Sequence, residues 1–135
     1  MRADRIDHIG FAVKSIEERL KVYRDLLKLD PVKIEELPER GLRVAFVNVG
    51  DTRIELLEPI AENSQVSKFL ETRGEGIHHM AFHVDDIEAA IKEAVELEIV
   101  PLTKEAQPGA SGTRVVFLHP KSAGGVLIEL VEGSH

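Results

Sequence analysis

Gly76-Ile77-His78-His79-Met80-Ala81-Phe82-His83-Val84-Asp85-Asp86-Ile87-Glu88 decides the fold, because an earlier stretch repeats it. Arg5-Ile6-Asp7-His8-Ile9-Gly10-Phe11-Ala12-Val13-Lys14-Ser15-Ile16-Glu17 aligns with it at a constant offset of 71, the step from His8 to His79. Ile6 meets Ile77, Phe11 meets Phe82, Val13 meets Val84, Ile16 meets Ile87 and Glu17 meets Glu88. The register holds further on, where Arg43 meets Arg114, Val44 meets Val115 and Phe46 meets Phe117. Three extra residues then enter the second copy, and Ile54-Glu55-Leu56 aligns with Ile128-Glu129-Leu130 at an offset of 74. A repeat of this length marks a duplicated supersecondary module.

Each copy reads as β-α-β-β-β. In the first, Arg5 to Val13 is a strand with Ile9, Phe11 and Val13 on one face and His8, Gly10 and Ala12 on the other. The large apolar face suits packing under helices, and the small face suits a cavity wall. Ser15-Ile16-Glu17-Glu18 is a capping box, and Ile16, Leu20, Tyr23, Leu26 and Leu27 predict a helical stripe ending near Leu29. Asp30-Pro31 breaks it. Strands are predicted over 32–37, 42–49 and 52–58, separated by turns at Glu39-Arg40-Gly41 and Gly50-Asp51. Ser64 caps a short connecting helix carrying Val66, Phe69 and Leu70, closed by Gly74 and Gly76. In the second copy the spacing predicts a strand over 77–84, a helix capped by Asp86, and strands over 99–102, 113–119 and 126–131. The expected class is α+β: two tandem βαβββ modules forming one curved, eight-stranded mixed sheet around a metal site. All 135 residues are expected to form one domain, with module one over about 1–59, a connector over 60–76 and module two over about 77–135.

The repeated polar positions carry the chemistry. Glu55 and Glu129 each sit between two apolar residues that must face the other way. A carboxylate aimed into a cavity is costly unless paired or metal-bound. With His8 and His79 the set offers four donors. Neutral imidazole and carboxylate oxygen suit a borderline divalent ion such as Co²⁺, Ni²⁺, Zn²⁺ or Mn²⁺, with open positions for water or substrate. The alternative, that both histidines are hydrogen-bonded core residues inherited from one ancestor, stays open. His78 has the wrong parity to join His79, and His83 lies too far along the strand to share an ion. His119, ending a strand beside Pro120, meets either substrate or solvent. The loops 108–112 and 120–125 are glycine-containing, which fits either close ligand approach or ordinary turns.

Bulk properties exclude several classes. A formal charge of −7, from 17 Lys and Arg against 24 Asp and Glu, argues against a nucleic-acid binder. No cysteine means no disulfide, thiolate metal site or cysteine nucleophile. No apolar run is long enough to span a bilayer, and the charged N-terminus lacks a signal-like core, so a cytoplasmic location is expected. Apolar content of 43% and charged content of 30% describe a globular chain.

Over nearly its full length the sequence resembles the methylmalonyl-CoA epimerase family of the vicinal oxygen chelate superfamily, which also includes glyoxalase I and extradiol dioxygenases. The likeness is carried by 7–10, 54–59, Gly74-Glu75-Gly76-Ile77-His78-His79-Met80-Ala81-Phe82, Phe117-Leu118-His119-Pro120-Lys121 and 124–130. The resemblance implies that His8, Glu55, His79 and Glu129 bind a divalent metal, with Co²⁺ the first expectation. It implies an acyl-CoA substrate and a homodimer, with neither nucleic acid nor membrane as partner. Removing and returning a proton on opposite faces of one carbon calls for two acid–base groups. Glu129 is expected to be one and Glu55 the second. Ser111, Arg114, His119 and Lys121 are the expected substrate contacts, the cations receiving the anionic coenzyme. Some relatives carry a non-ligand glutamate in the strand after the Gly41 turn, where this chain has Val44. Glyoxalase I chemistry and non-catalytic ligand binding are the alternatives.

Overall fold

The computed structural model describes residues 2–109 and 112–134. The chain condenses into two compact units, one of residues 8–78 and the other of 1–7 with 79–135. The boundary departs from that of the repeat, because the N-terminal segment belongs with the second copy. The Asp4 amide donates to the carbonyl of His83 at 3.2 Å, and the His83 ring nitrogen Nδ1 lies 2.7 Å from the Asp4 carboxylate. That hydrogen bond holds the Asp4 carboxyl below its ordinary range. His83 is therefore part of a tether.

In the 8–78 unit, β1 (Arg5–Ala12) pairs parallel with β4 (Thr52–Pro59). β4 pairs antiparallel with β3 (Leu42–Val49), and β3 with β2 (Lys33–Leu37). The helix α1 starts at Ile16, with the Ser15 hydroxyl accepting the Glu18 amide as the capping box predicts. Ile16 and Leu20 are fully buried with Val13, Ala45, Val47 and Leu56. Each such side chain contributes about 1.5–3 kcal/mol by leaving water.

The predicted stripe continues through Tyr23, which packs against this core, and fails at Leu26 and Leu27. Residues Lys21–Leu26 form a π-helical turn, whose larger number of residues per turn rotates the following side chains off the buried line. Leu26 is 71% exposed and Leu27 52%. Leu29 and Val32 pack against the core instead. The opposite face of the strands carries Ala12, Leu42, Val44 and Leu57 under α2 (Gln65–Arg73), which is capped by Ser64 and contributes Val66, Phe69 and Leu70.

The 79–135 unit repeats the plan. β5 (Gly76–His83) pairs parallel with β8 (Leu127–Glu132), and β8 antiparallel with β7 (Arg114–Leu118). α3 (Ile87–Glu96), capped by Asp86, packs Ile87 and Ala90 on Val84, Val116 and Leu130. The strand expected over 99–102 is absent. Pro101 makes only an isolated bridge to Leu118, and the regular partner of β7 is the two-residue β6 (Gln107–Pro108). Pro101 takes a non-hydrogen-bonded position opposite Leu118, flanked by bonds from the His119 amide to the Val100 carbonyl and from the Leu102 amide to the Phe117 carbonyl. Eight strands in two βαβββ modules, with parallel and antiparallel pairings in each, match the expected fold class.

One device occurs twice. Glu58, at the end of β4, accepts the first helical amide of α1 from Ile16 at 2.9 Å, and Arg43 of β3 donates to the same carboxylate at 3.3 Å. Glu132, at the end of β8, accepts from Ile87 at 2.9 Å and from Arg114 at 3.1 Å. A carboxylate at a helix N-terminus satisfies a free amide and favours the dipole. Each arginine also pairs with a first-turn glutamate, Arg43 with Glu17 and Arg114 with Glu88.

Candidate functional site

In the 8–78 unit, parallel pairing of β1 with β4 sets Gly10 beside Glu55 and His8 beside Arg53. His8 and Glu55 are 5% and 9% exposed, and the His8 Nδ1 stands 3.7 Å from Glu55 Oε2. That gap exceeds a hydrogen bond and matches two ligands at roughly 2.1 Å from one ion. Arg53 donates twice to the same Oε2, from Nε at 3.1 Å and from Nη2 at 2.7 Å. Its guanidinium lies 4.7 Å above the ring of Phe46, the cross-strand partner of Glu55. Sequence reasoning missed Arg53. The available signal was its spacing of two from Glu55, which puts both on one face of a strand.

The other unit holds the repeat equivalents. His79 on β5 and Glu129 on β8 are 8% and 6% exposed, with His79 Nε2 standing 3.7 Å from Glu129 Oε1. Phe117, the cross-strand partner of Glu129, sets its ring edge-on to His79, with centroids 6.2 Å apart at 82°. Leu127 pairs with His79 as Arg53 pairs with His8. Each unit thus brings one predicted histidine and one predicted glutamate together, and only the first adds an arginine.

Among the described residues no buried side-chain nitrogen or oxygen lacks a hydrogen-bond partner. The fit to a metal therefore rests on donor chemistry and spacing. Both pairs are buried, both combine imidazole with carboxylate, and both keep the separation that a shared ion requires.

The predicted substrate contacts fare differently. Arg114 is on the wrong face: it shares the α3 side of β7 with Val116, while Phe117 and Glu129 point the other way. Its guanidinium is held by Glu132 and Glu88, which also raise its pKa. In the structure Arg114 braces the start of α3 through Glu88 and Glu132. Arg114→Ala should accordingly lower the melting temperature by a few degrees at most and leave KM unchanged. A raised KM with unchanged melting would return Arg114 to the substrate. His119 and Lys121 are exposed and adjacent, in the turn formed by the 3₁₀ segment Pro120–Ala123. His119 Nδ1 accepts the Lys121 amide at 3.1 Å, which places the ring proton on Nε2. Ser111 lies outside the described residues.

Two more positions follow their parity. His78 packs edge-on against Phe69 of α2, with centroids 5.2 Å apart, and burial there pushes it below the ordinary histidine range. Val44, where some relatives have a glutamate, is 2% exposed in the apolar cluster under α2.

The chain is similar to known proteins over most of its length. A mouse mitochondrial methylmalonyl-CoA epimerase is 42% identical over 127 residues, covering 93% of this chain and 71% of the mouse protein. The crystal structure of methylmalonyl-CoA epimerase from Mycobacterium tuberculosis matches with a TM-score of 0.86 at 35% identity, over 98% of this chain and 90% of the other. A Streptomyces coelicolor methylmalonyl-CoA epimerase variant in complex with 2-nitronate-propionyl-CoA matches at 0.84 and 36% identity, over 98% and 96%. Residues 7–117 match the family described as the Glyoxalase/Bleomycin resistance protein/Dioxygenase superfamily, and the chain belongs to it.

Proposed function

We propose that the protein is a divalent-metal-dependent epimerase that interconverts (R)- and (S)-methylmalonyl-CoA. The observation that carries this reading is the pair of buried His–Glu couples, His8 with Glu55 and His79 with Glu129, each at 3.7 Å and related by the internal repeat. Relatives bearing the epimerase name over most of the chain support it. The nitronate complex of a relative supports the chemistry. A nitronate carbon is planar with its charge on oxygen, as in the enolate expected when a proton leaves the carbon between a thioester and a carboxylate.

In this reading the four side chains His8, Glu55, His79 and Glu129 hold one ion, Co²⁺ being our first assignment and Ni²⁺, Mn²⁺ or Zn²⁺ the alternatives. A divalent ion supplies Lewis-acid stabilisation of the charge that develops on the thioester oxygen, worth several kcal/mol. Glu129 takes the α-proton on one face: the C–H bond breaks, its electron pair moves into the thioester carbonyl, and the proton goes to the carboxylate. The opposite face is assigned to Glu55, which delivers a proton to the carbon. The reverse reaction exchanges the two roles. Val44 leaves the strand after Gly41 without a carboxylate to share this work. Lys121, exposed in its turn, is the cation we assign to the coenzyme, with His119 beside it and Ser111 as a further contact. We assign a homodimer as the assembly. Among the described residues no helix is long and apolar enough to cross a membrane.

Incubating Co²⁺-loaded protein with (S)-methylmalonyl-CoA in D₂O should give α-deuterated substrate and a mixture of both epimers. Neither exchange nor epimerisation, with turnover of a glutathione hemithioacetal instead, would replace this reading by glyoxalase I chemistry. Metal removal is the companion prediction. A chelator should abolish exchange, and acid should do so too, because a ligating imidazole must be neutral. Re-addition of Co²⁺ should restore it, and full activity in demonstrably metal-free protein would rule the mechanism out.

A further inference from the structure

Arg53 stands beside His8 where Leu127 stands beside His79 in the other copy. Arg53 and Glu55 sit two apart on β4, so they share a face, and Arg53 lies beside His8 in the parallel pairing. Both donated bonds, at 3.1 and 2.7 Å, end on Oε2, the oxygen that stands 3.7 Å from His8 Nδ1. Phe46 fixes the guanidinium from the other side at 4.7 Å, within cation–π range. The Arg53 side chain is 18% exposed and that of Glu55 11%, so solvent screens the pair little. In the second copy the corresponding position is Leu127, which brings no charge to Glu129.

We propose that Arg53 sets the metal affinity of the site by competing with the divalent ion for Glu55 Oε2. The proposal rests on the reading of His8 and Glu55 as metal ligands. A guanidinium and a doubly charged ion on one oxygen repel each other in a poorly screened site. The same guanidinium compensates the buried carboxylate whenever no ion does so. Arg53 therefore favours the protein without metal on both counts. Hydrogen bonds that orient a ligand usually improve affinity by roughly 10- to 100-fold. Here the orienting partner is itself a cation on the ligating oxygen and faces a charge of two, so the repulsion dominates.

The test compares Co²⁺ affinity, by calorimetric titration of chelator-stripped protein, for wild type and for Arg53→Leu, which copies the second repeat. Arg53→Leu should bind Co²⁺ more tightly by on the order of tenfold. Its stripped form should melt lower than stripped wild type, and Co²⁺ should raise its melting temperature by more than it raises that of wild type. Arg53→Gln, which keeps an N–H donor for Oε2 but no charge, should also tighten binding and serves if the leucine variant does not fold. Arg53→Lys, retaining the charge, should stay near wild type. Equal or weaker affinity in the leucine and glutamine variants would overturn the proposal and make Arg53 a supporting partner of Glu55. A wild type that takes up no Co²⁺ would instead overturn the metal-ligand reading beneath it.

Discussion

Glu129→Gln should abolish α-proton exchange on one face of methylmalonyl-CoA, with epimerisation falling by roughly 10²- to 10⁴-fold, the usual contribution of a positioned acid–base group. The substitution is nearly isosteric, and its oxygen can still ligate. β8 is held by β5 on one side and β7 on the other, so the backbone around residue 129 should not move. Metal content should stay close to wild type while kcat collapses, because what is lost acts in the transition state and not in ground-state binding. Stereospecific exchange in D₂O reads this directly. Retained exchange of both epimers would remove Glu129 from proton transfer.

Glu55→Gln separates ligand from acid. Glutamine keeps one carbonyl oxygen that can ligate the ion, so metal should stay bound. Glutamine cannot carry the proton that the second face requires. Arg53 occupies Oε2, which leaves Oε1 as the oxygen that would exchange it. Epimerisation should fall by roughly 10²- to 10⁴-fold while exchange continues on the face served by Glu129. Normal turnover in the metal-loaded variant would reduce Glu55 to a ligand only, and the second proton would then come from another donor.

The sequence made the modular plan legible because duplication doubles every signal. A lone histidine in a strand is ambiguous, but His8 and His79 at matching register, each with an equivalent glutamate, point to one shared role. Strand parity set His78 apart from His79, and the structure packs it against Phe69 of α2. Illegible parts were those where local geometry departs from the ideal. The π-helical turn at Lys21–Leu26 displaced Leu26 and Leu27 from the core, and no spacing rule announces such a turn. The strand expected over 99–102 shrank to a single bridge at Pro101, the ladder along β7 being continued by Gln107 and Pro108. Arg114 was assigned by nearness to a glycine-containing loop, although its parity with Val116 already put it under α3. Its match with Arg43 across the repeat carried the correct message, since both brace a helix start through Glu132 and Glu58. Arg53 was overlooked for the complementary reason: it has no counterpart in the second copy, so a search for repeated residues passed over it.

In the proposed reading His8, Glu55, His79 and Glu129 serve a single ion. Calorimetric titration of Co²⁺ into chelator-stripped protein measures this most directly. One equivalent should bind per chain, and His8→Ala and His79→Ala should each weaken that same equivalent. Two equivalents per chain, each lost with only one of the histidines, would contradict it, as would no specific binding at all.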